Sequence, residues 1–223
     1  MPKGELIVIE GLDGSGKATQ TRILSSKLRQ MGKHICRITF PDYNHESSAL
    51  ARMYLNSEFG ASPDAVNAYA ASSFFAVDRY ASYMKFWKQR YENNQTILCD
   101  RYTTSNAAYN LVKLEKSEWD NYLEWLEDYE YNKLGLPRPN VVIYLDMPIE
   151  ISQKFMTNRY KGSESKKDLH EKNIQFLEKC REAGLYTAKK LNWNIISCSK
   201  DNRPRYIKDI NADILNIIKE VTT

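Results

Sequence analysis

The chain has 223 residues, enough for one α/β domain with a substantial buried core. Its formal net charge is +4 without a long run of like charges, so a nucleic acid is not needed to explain the basic excess and small anionic substrates fit it as well. We expect neither a nucleic acid nor a membrane partner. The four cysteines are widely separated and no apolar run is long enough for a signal sequence or a membrane span, so we expect a cytoplasmic protein with free thiols.

In chain order, short β-rich runs alternate with longer segments of helical spacing. The runs are LIVIE at 6–10, HICRITF at 34–40, TILCD at 96–100, NVVIYLD at 140–146 and WNIISC at 193–198. Helical spacing is clearest at Ile23, Leu24, Leu28 and Met31 and again at Ile207, Ile210, Ile214, Ile217 and Val221. Strands buried on both faces and separated by helices predict an α/β fold, a five-stranded parallel sheet between helix layers, in a single domain of residues 1–223.

The first strand runs into a glycine-rich turn, a lysine and a helix, in ELIVIEGLDGSGKATQ at 5–20. This order is typical of a phosphate-binding loop, in which glycines let backbone N–H groups face a phosphate, the helix N-terminus adds its dipole and Lys17 adds a mobile charge. The alternative, a glycine-rich turn without a ligand, is disfavoured by the complete G-x-x-x-x-G-K pattern. The residues predicted to bind ATP are Gly11, Leu12, Asp13, Gly14, Ser15, Gly16, Lys17, Ala18 and Thr19.

Ala18 stands where the Walker A pattern has a serine or threonine, which removes one direct ligand for Mg²⁺. The backbone amides and Lys17 remain, and Mg²⁺ often relies on substrate phosphates and one or two carboxylates. The loop resembles that of adenylate kinases, which have GKGTQ where this chain has GKATQ and also lack the hydroxyl. We therefore expect a working nucleotide site, in which Thr19 donates to an inner phosphate.

Further motifs follow the loop in a fixed order: FPDY at 40–43, FFAVDR at 74–79, DRYTTSNAAY at 100–109 and GLPRPN at 135–140. Together with the loop they resemble the thymidylate (dTMP) kinases, from Glu5 to about Lys190. The DRY…SNAAY block joined to FAVDR is specific, whereas the loop alone is generic. The resemblance implies a P-loop kinase fold with a mobile lid, transfer of a phosphoryl group from ATP to dTMP, Mg²⁺ as cofactor and a homodimer.

Asp100 and Arg101 follow the third predicted strand, at the edge of a parallel sheet where ligands bind. The planar guanidinium of Arg101 suits an acceptor phosphate, and Asp100 is a candidate ligand for Mg²⁺ or its waters. The alternative is a local salt bridge that caps the next helix.

The thymine end of the acceptor site is expected around one helix face. Phe75 and Arg79 are four residues apart and share that face, so Phe75 can stack on a pyrimidine while Arg79 donates to a carbonyl at its edge. Core packing is the alternative for Phe75, which lies among other aromatic residues. The resemblance implies that Ser105 and Asn106 border the thymine and that Tyr109 lies under the deoxyribose, crowding out a 2′-hydroxyl.

The resemblance also implies roles around the sugar and phosphate. Asp13 receives the 3′-hydroxyl or works beside the metal, Phe40 and Tyr43 wall the pocket, and Glu171 lies near the acceptor. His170 stands where a tyrosine is common, and we expect it to be a surface helix residue.

The polar, basic segment MTNRYKGSESKKDLHEKN at 156–173 predicts either a solvated loop or a lid at about 157–170, between a helix after Pro148 and another from about Asp168. Relatives place a catalytic arginine in the phosphate loop or in the lid. Because the residue after Asp13 is Gly14, the lid must supply it here, and we assign it to Arg159. The alternatives are Lys161, Lys166 and Lys167.

One position departs from the family pattern. Many relatives carry an arginine after the FP pair that binds the acceptor phosphate, whereas this chain has Asp42 and Tyr43. Arg101 would then hold that phosphate with less help.

The sequence therefore predicts a dTMP kinase whose catalytic residues are Lys17, Arg101, Arg159 and Asp13. The alternatives are a kinase for another nucleotide or for a deoxynucleoside, and a nucleotide-binding protein with weak or no catalysis. Aromatic-rich segments at 69–91 and 117–134 predict a helix-packed homodimer, unless they complete the monomer core.

Overall fold

The structure, a computed structural model, describes residues 3–160 and 168–221, with Arg159 described by its backbone alone. Five of the strands in these ranges are β1 (Leu6–Glu10), β2 (Ile35–Thr39), β3 (Thr96–Asp100), β4 (Val141–Asp146) and β5 (Asn194–Ser197). They form one parallel sheet in the order β2-β3-β1-β4-β5. The predicted five-stranded sheet is confirmed, and each strand lies within its predicted run.

Helices flank this sheet on both faces. They are α1 (Lys17–Gln30), α2 (Ala49–Leu55), α3 (Ala68–Ser82), α4 (Lys88–Glu92), α5 (Thr103–Asn110), α6 (Trp119–Glu127), α7 (Ile149–Tyr160), α8 (Ile174–Lys190) and α9 (Ile207–Val221). Two π-helical turns, at Tyr83–Trp87 and Asp128–Lys133, follow α3 and α6, and a short hairpin pairs β6 (Ser199–Lys200) with β7 (Arg203–Pro204). In the described part of the chain, no helix is both long enough and apolar enough to cross a membrane.

Two apolar cores cover the faces of the sheet, because side chains alternate along each strand. In β1, Ile7 and Ile9 pack against α1 and α9, whereas Leu6 and Val8 pack with Trp87 of the first π-helical turn. Each of these β1 side chains is fully buried, which stabilises the fold by roughly 1.5–3 kcal/mol per residue.

The sheet places β1 between β3 and β4, so that the chain order reverses at β1. Ile9 is level with Asp100 of β3 and with Ile143 of β4. The segments after β1 and β3 therefore leave the same edge of the sheet side by side, at the type of crevice where open α/β sheets bind ligands.

The helix expected from about Asp168 begins instead at Ile174. The Asp168 carboxylate accepts the N–H groups of His170 and Glu171, each at 2.9 Å, and so folds this segment into a turn. Asn173 then caps α8, because its side-chain oxygen accepts the Phe176 N–H at 2.9 Å.

Candidate active site

A cavity of about 770 Å³ opens at the carboxyl ends of β1 and β3. Residues 13–19 of the glycine loop line it, whereas Gly11 and Leu12 lie behind its wall. The predicted acceptor residues all line the same cavity, namely Asp13, Phe40, Tyr43, Phe75, Arg79, Arg101, Ser105, Asn106, Tyr109 and Glu171. Its wall also includes residues that the sequence analysis did not assign to the site, among them Asp168, Met147, Phe155, Pro204, Arg205 and Ile207.

The glycine loop packs directly on α7. Gly14 has a φ of +79°, and a Cβ at this position would lie 2.6 Å from the carbonyl oxygen of Ser152. Gly16, with a φ of +93°, brings the chain into α1, whose first turn contains no acidic residue. Because the first N–H groups of a helix have no carbonyl partner within it, this end of α1 is suited to an anion.

Lys17 is folded back on its own loop. Its Nζ donates to the Leu12 carbonyl at 2.8 Å, and only 7% of the residue is exposed. Burial lowers the pKa of Lys17, and the nearby Arg101 lowers it further, whereas Asp13 opposes both. The lysine thus lies in the loop where it can approach a bound phosphate.

Arg101 pairs with Asp13 across the cavity rather than with the adjacent Asp100. Its Nη2 bonds one Asp13 carboxylate oxygen, and the Tyr109 hydroxyl donates to the other at 2.8 Å. Burial alone would raise the pKa of Asp13, but Arg101 and Lys17 outweigh it and lower that pKa. Burial likewise opposes the charge of Arg101, but Asp13 raises its pKa well above the usual value. Both groups are therefore charged at neutral pH.

Glu10 is a fully buried carboxylate that the sequence analysis missed. It accepts hydrogen bonds from the Gly11 N–H at 2.9 Å, from Thr104 Oγ1 at 2.6 Å and from Ser105 Oγ at 2.8 Å. Glu10 therefore ties the glycine loop to the start of α5. An acidic residue that ends an otherwise apolar strand was the available signal.

Asp100 lies on the cavity wall near Lys17, and its carboxylate accepts no hydrogen bond from the described residues. The pKa of Asp100 is raised, because the effect of burial is larger than the opposing effects of Lys17 and Arg101. Mg²⁺ prefers oxygen ligands and is often held by one or two carboxylates together with substrate phosphates. A free carboxylate beside a phosphate loop fits that ligand set, and in the described ranges no cluster of three metal-type ligands occurs.

Where the sequence analysis expects the thymine, the cavity wall contains an arginine in an ion pair that the sequence did not reveal. Arg79 is 1% exposed, and its Nε and Nη2 donate to Glu130 at 2.7 and 2.5 Å. Asn106 Nδ2 donates to the same carboxylate at 2.8 Å and to the Ser72 carbonyl at 3.0 Å. Phe75 lies on the cavity wall and contacts the ring of Tyr54 edge-on at 6.1 Å.

Asp42 is not among the residues that line the cavity. Its carboxylate lies 2.9 Å from His45 Nδ1 and accepts from Ser82 Oγ at 3.4 Å. Its backbone N–H donates to the buried carboxylate of Asp78 at 2.8 Å. The aspartate thus anchors its own loop, while the adjacent Tyr43 is half exposed on the cavity wall.

The prediction that His170 is a surface residue is wrong. It is 4% exposed, stacks on Tyr109 at a ring distance of 5.2 Å and places Nε2 3.0 Å from the Tyr54 hydroxyl. Burial lowers the pKa of His170 to about 3, so the ring is neutral. The partners come from distant parts of the chain, which local sequence pattern does not reveal.

The far end of the predicted lid also meets the cavity. Glu171 accepts the Tyr160 hydroxyl at 2.7 Å and the Asp168 N–H at 3.1 Å. The backbone of Arg159 lies in the last turn of α7, but its side chain is outside what is described. The alternative lid cations Lys161, Lys166 and Lys167 also lie outside the described residues.

A glycine loop after the central strand of a parallel sheet, at the point where the strand order reverses, is the arrangement of the P-loop fold. Residues 9–205 match the family model described as thymidylate kinase. The chain belongs to the thymidylate kinase family.

Individual relatives agree with this family. A thymidylate kinase of Mycobacterium tuberculosis is 32% identical over 148 residues, 66% of this chain and 68% of the relative. One from Danio rerio is 24% identical over 98% of this chain and 94% of its own length. A solved thymidylate kinase from Candida albicans superposes with a TM-score of 0.70 at 25% identity, covering 98% of this chain and 92% of that one.

Proposed function

We propose that this enzyme transfers the γ-phosphoryl group of ATP to the phosphate of dTMP, giving ADP and dTDP. As a thymidylate kinase, the chain is an enzyme of the class that performs this transfer. The observation that carries the assignment of the site is the placement of the buried Lys17 and the partly buried Arg101 near one carboxylate in one cavity. Two facing phosphates need such a pair.

The reaction needs no protein nucleophile. An oxygen of the dTMP phosphate attacks the γ-phosphorus in line, the bond from that phosphorus to the β,γ-bridging oxygen breaks, and the electron pair leaves with ADP. Lys17 neutralises charge on the donor phosphates and Arg101 grips the acceptor phosphate through its planar guanidinium. Asp13 holds Arg101 in place and receives the 3′-hydroxyl of the sugar.

Mg²⁺ is the proposed cofactor, and Asp100 would hold it or its waters. The ion would supply charge neutralisation between the β- and γ-phosphates. The support is the carboxylate of Asp100, which lines the cavity near Lys17 and accepts no hydrogen bond from the described residues.

In the acceptor half, the proposed thymine contacts are Phe75 by stacking, Arg79 by donation and Asn106 and Ser105 at the border. Tyr109 lies under the deoxyribose, with Phe40, Tyr43 and Glu171 around it. Support comes from the shared cavity wall and from the fixed ring of Tyr109, which is held by Asp13 on one side and stacked on His170 on the other.

A panel of acceptors in a coupled assay of ADP release tests the proposal. With ATP and Mg²⁺ we expect rapid turnover of dTMP and none of thymidine, because thymidine gives Arg101 no phosphate to hold. Turnover of another acceptor in place of dTMP would support a different kinase. Tight binding of ATP and dTMP without dTDP would support a nucleotide-binding protein instead, and absence of dTMP binding by calorimetry would overturn the proposal.

We also propose that the enzyme is a cytoplasmic homodimer built from one kinase domain, residues 1–223, with a lid at about 157–170. The support for a dimer is an exposed apolar stripe on one side of α3 and its π-helical extension, formed by Tyr69, Val77, Tyr80 and Met84. Each of these side chains is between 39% and 48% exposed, and a second copy of the same stripe would cover them.

A further inference from the structure

Glu130 lies in the second π-helical turn, Asp128–Lys133, and is fully buried. Its carboxylate accepts two hydrogen bonds from Arg79 and one from Asn106. Arg79 and Asn106 line the cavity, whereas Glu130 does not. Glu130 therefore lies directly behind two residues that the proposed function places at the thymine.

The ion pair between Arg79 and Glu130 determines which nitrogen of Arg79 remains for a ligand. With Nε and Nη2 bound to Glu130, only Nη1 of Arg79 has no partner among the described residues. A guanidinium nitrogen can donate but cannot accept, so a base that meets it must offer an acceptor such as a carbonyl oxygen. The ion pair also has no net charge, which suits a neutral base.

Asn106 is oriented by the same carboxylate. Its Nδ2 donates to Glu130 and to the Ser72 carbonyl, while its Oδ1 accepts from Asn110 Nδ2 at 3.3 Å. Reversing the amide would bring its oxygen against two acceptors. Glu130 thus fixes both residues through the three hydrogen bonds that its carboxylate accepts.

We propose that Glu130 is the positioning residue for acceptor-base selectivity, holding Arg79 so that the cavity accepts a 4-oxo pyrimidine and rejects a 4-amino pyrimidine. This inference rests on the proposed function of the same site. Thymine and uracil carry an oxygen at that position, which can accept from Arg79. Cytosine carries an amino group there, which is a donor and would face the donor N–H of Arg79. Sites built around such hydrogen bonds can discriminate by several orders of magnitude.

The test is the Glu130→Gln variant, assayed with dTMP, dUMP and dCMP. The amide keeps the shape of the carboxylate but offers one acceptor where three donors converge, so Arg79 loses its fixed direction. We expect the KM for dTMP to rise about tenfold or more with a much smaller change in kcat. The preference for dTMP over dCMP, as a ratio of kcat/KM, should fall by about tenfold or more, while the dTMP to dUMP ratio should stay unchanged because both bases carry the same oxygen.

Asp146→Asn is the matched control. Asp146 forms a bidentate pair with Arg181, at 2.7 and 2.9 Å, and neither residue lines the cavity. This variant should leave the KM for dTMP and both selectivity ratios, dTMP to dCMP and dTMP to dUMP, at the wild-type values. If Glu130→Gln lowers Tm but keeps the KM for dTMP and the dCMP ratio, the carboxylate is structural and the inference is overturned.

Should Glu130→Gln fail to fold, Glu130→Asp is measured instead, since it retains the charge that Arg79 needs while withdrawing the carboxylate. Wild-type selectivity in that variant, or failure of both variants to fold, also overturns the inference. A wild-type enzyme that does not phosphorylate dTMP at all overturns the proposed function, which is a separate result.

Discussion

Asp13 balances the charges of the cavity. It is the carboxylate that bonds Arg101, receives the Tyr109 hydroxyl and lies near Lys17. Arg101 itself has a φ of +67°, a backbone conformation uncommon outside glycine, and such residues are concentrated at functional sites. The turn after β3 thus accepts strain that aims the guanidinium into the cavity.

The catalytic cation of the lid is tested by Arg159→Ala. We expect kcat to fall by at least about a hundredfold, with little change in dTMP affinity, because a cation that meets only the transferring group acts in the transition state. Steady-state kinetics and calorimetry with dTMP measure the two quantities. An unchanged kcat would move the role to Lys161, Lys166 or Lys167.

Asp168 gives the stability of the protein a pH dependence. Burial, with Asp13 and Glu171 nearby, raises the pKa of Asp168 to about 7. Above about pH 4 the folded state keeps a proton that the unfolded state releases, so this residue makes the free energy of unfolding fall as the pH rises to about 7. Asp168→Asn removes the titration but keeps the side-chain oxygen that accepts two backbone N–H groups.

We therefore expect the Asp168→Asn variant to match the wild type near pH 4, to become progressively more stable than the wild type up to about pH 7, and to keep that advantage above it. Urea unfolding across this range is the measurement. Asp120→Asn is the control, and its stability difference from the wild type should change with pH in the opposite direction. The reason is that hydrogen bonds from Lys190 and Tyr186 lower the pKa of Asp120. A stability difference for Asp168→Asn that does not change with pH would contradict the assignment.

Site residues were predictable where a motif fixes them and not where distant segments meet. The glycine loop, Arg101 and Tyr109 belong to recognisable blocks, and all of them reach the cavity except Gly11 and Leu12, which lie behind its wall. Glu130 and His170 were missed or misjudged because their partners lie far away in the chain: Glu130 bonds Arg79, and His170 bonds Tyr54. No local spacing marks such pairs.

Among the elements, the packing of the glycine loop on α7 links the donor site to the lid. Gly14 approaches the Ser152 carbonyl so closely that a side chain there would displace the helix that ends at Tyr160. The assignment of the catalytic arginine to Arg159, in the last turn of α7, stays a prediction.

Gly14→Ala compared with Gly32→Ala measures this contact. Both glycines have a positive φ, +79° and +85°, but a Cβ on Gly32 meets nothing within 4 Å. Both variants should lose stability from backbone strain, and Gly14→Ala should lose roughly 1–3 kcal/mol more, because α7 must shift. Urea unfolding gives the two values. Equal losses would show that the close approach has no cost.

Element positions were largely predictable because apolar periodicity reports burial directly. The π-helical turns were not, since their apolar spacing resembles that of an ordinary helix over so few residues. The start of α8 was misplaced because the polar segment before it gave no sign that Asp168 would fold into a turn.

At the scale of the whole molecule, the sheet separates a face covered by α1 and α9 from a face covered by the first π-helical turn, which continues α3. The exposed stripe runs along α3 and into that turn. Its Tyr69 ring also packs against Tyr122 and Trp125, so the stripe continues toward α6.

Val77→Glu tests the dimer. We expect a wild-type dimer and a monomeric variant at micromolar concentration, because a charge at the centre of the stripe would be buried without a partner. Light scattering coupled to size-exclusion chromatography measures the mass. Met31→Glu, 50% exposed at the end of α1, is the control and should remain dimeric. A monomeric wild type, or a dimeric Val77→Glu variant, would contradict the proposed interface.

Lys17 and Arg101 have a further consequence for small inorganic anions. Each cation already has an internal partner, the Leu12 carbonyl for one and Asp13 for the other. A phosphate group that enters must exchange with these partners instead of filling a vacant positive site. Orthophosphate or pyrophosphate brings no base and no sugar to offset that exchange, so the ordinary ionic background of a cell should compete weakly with whole nucleotides.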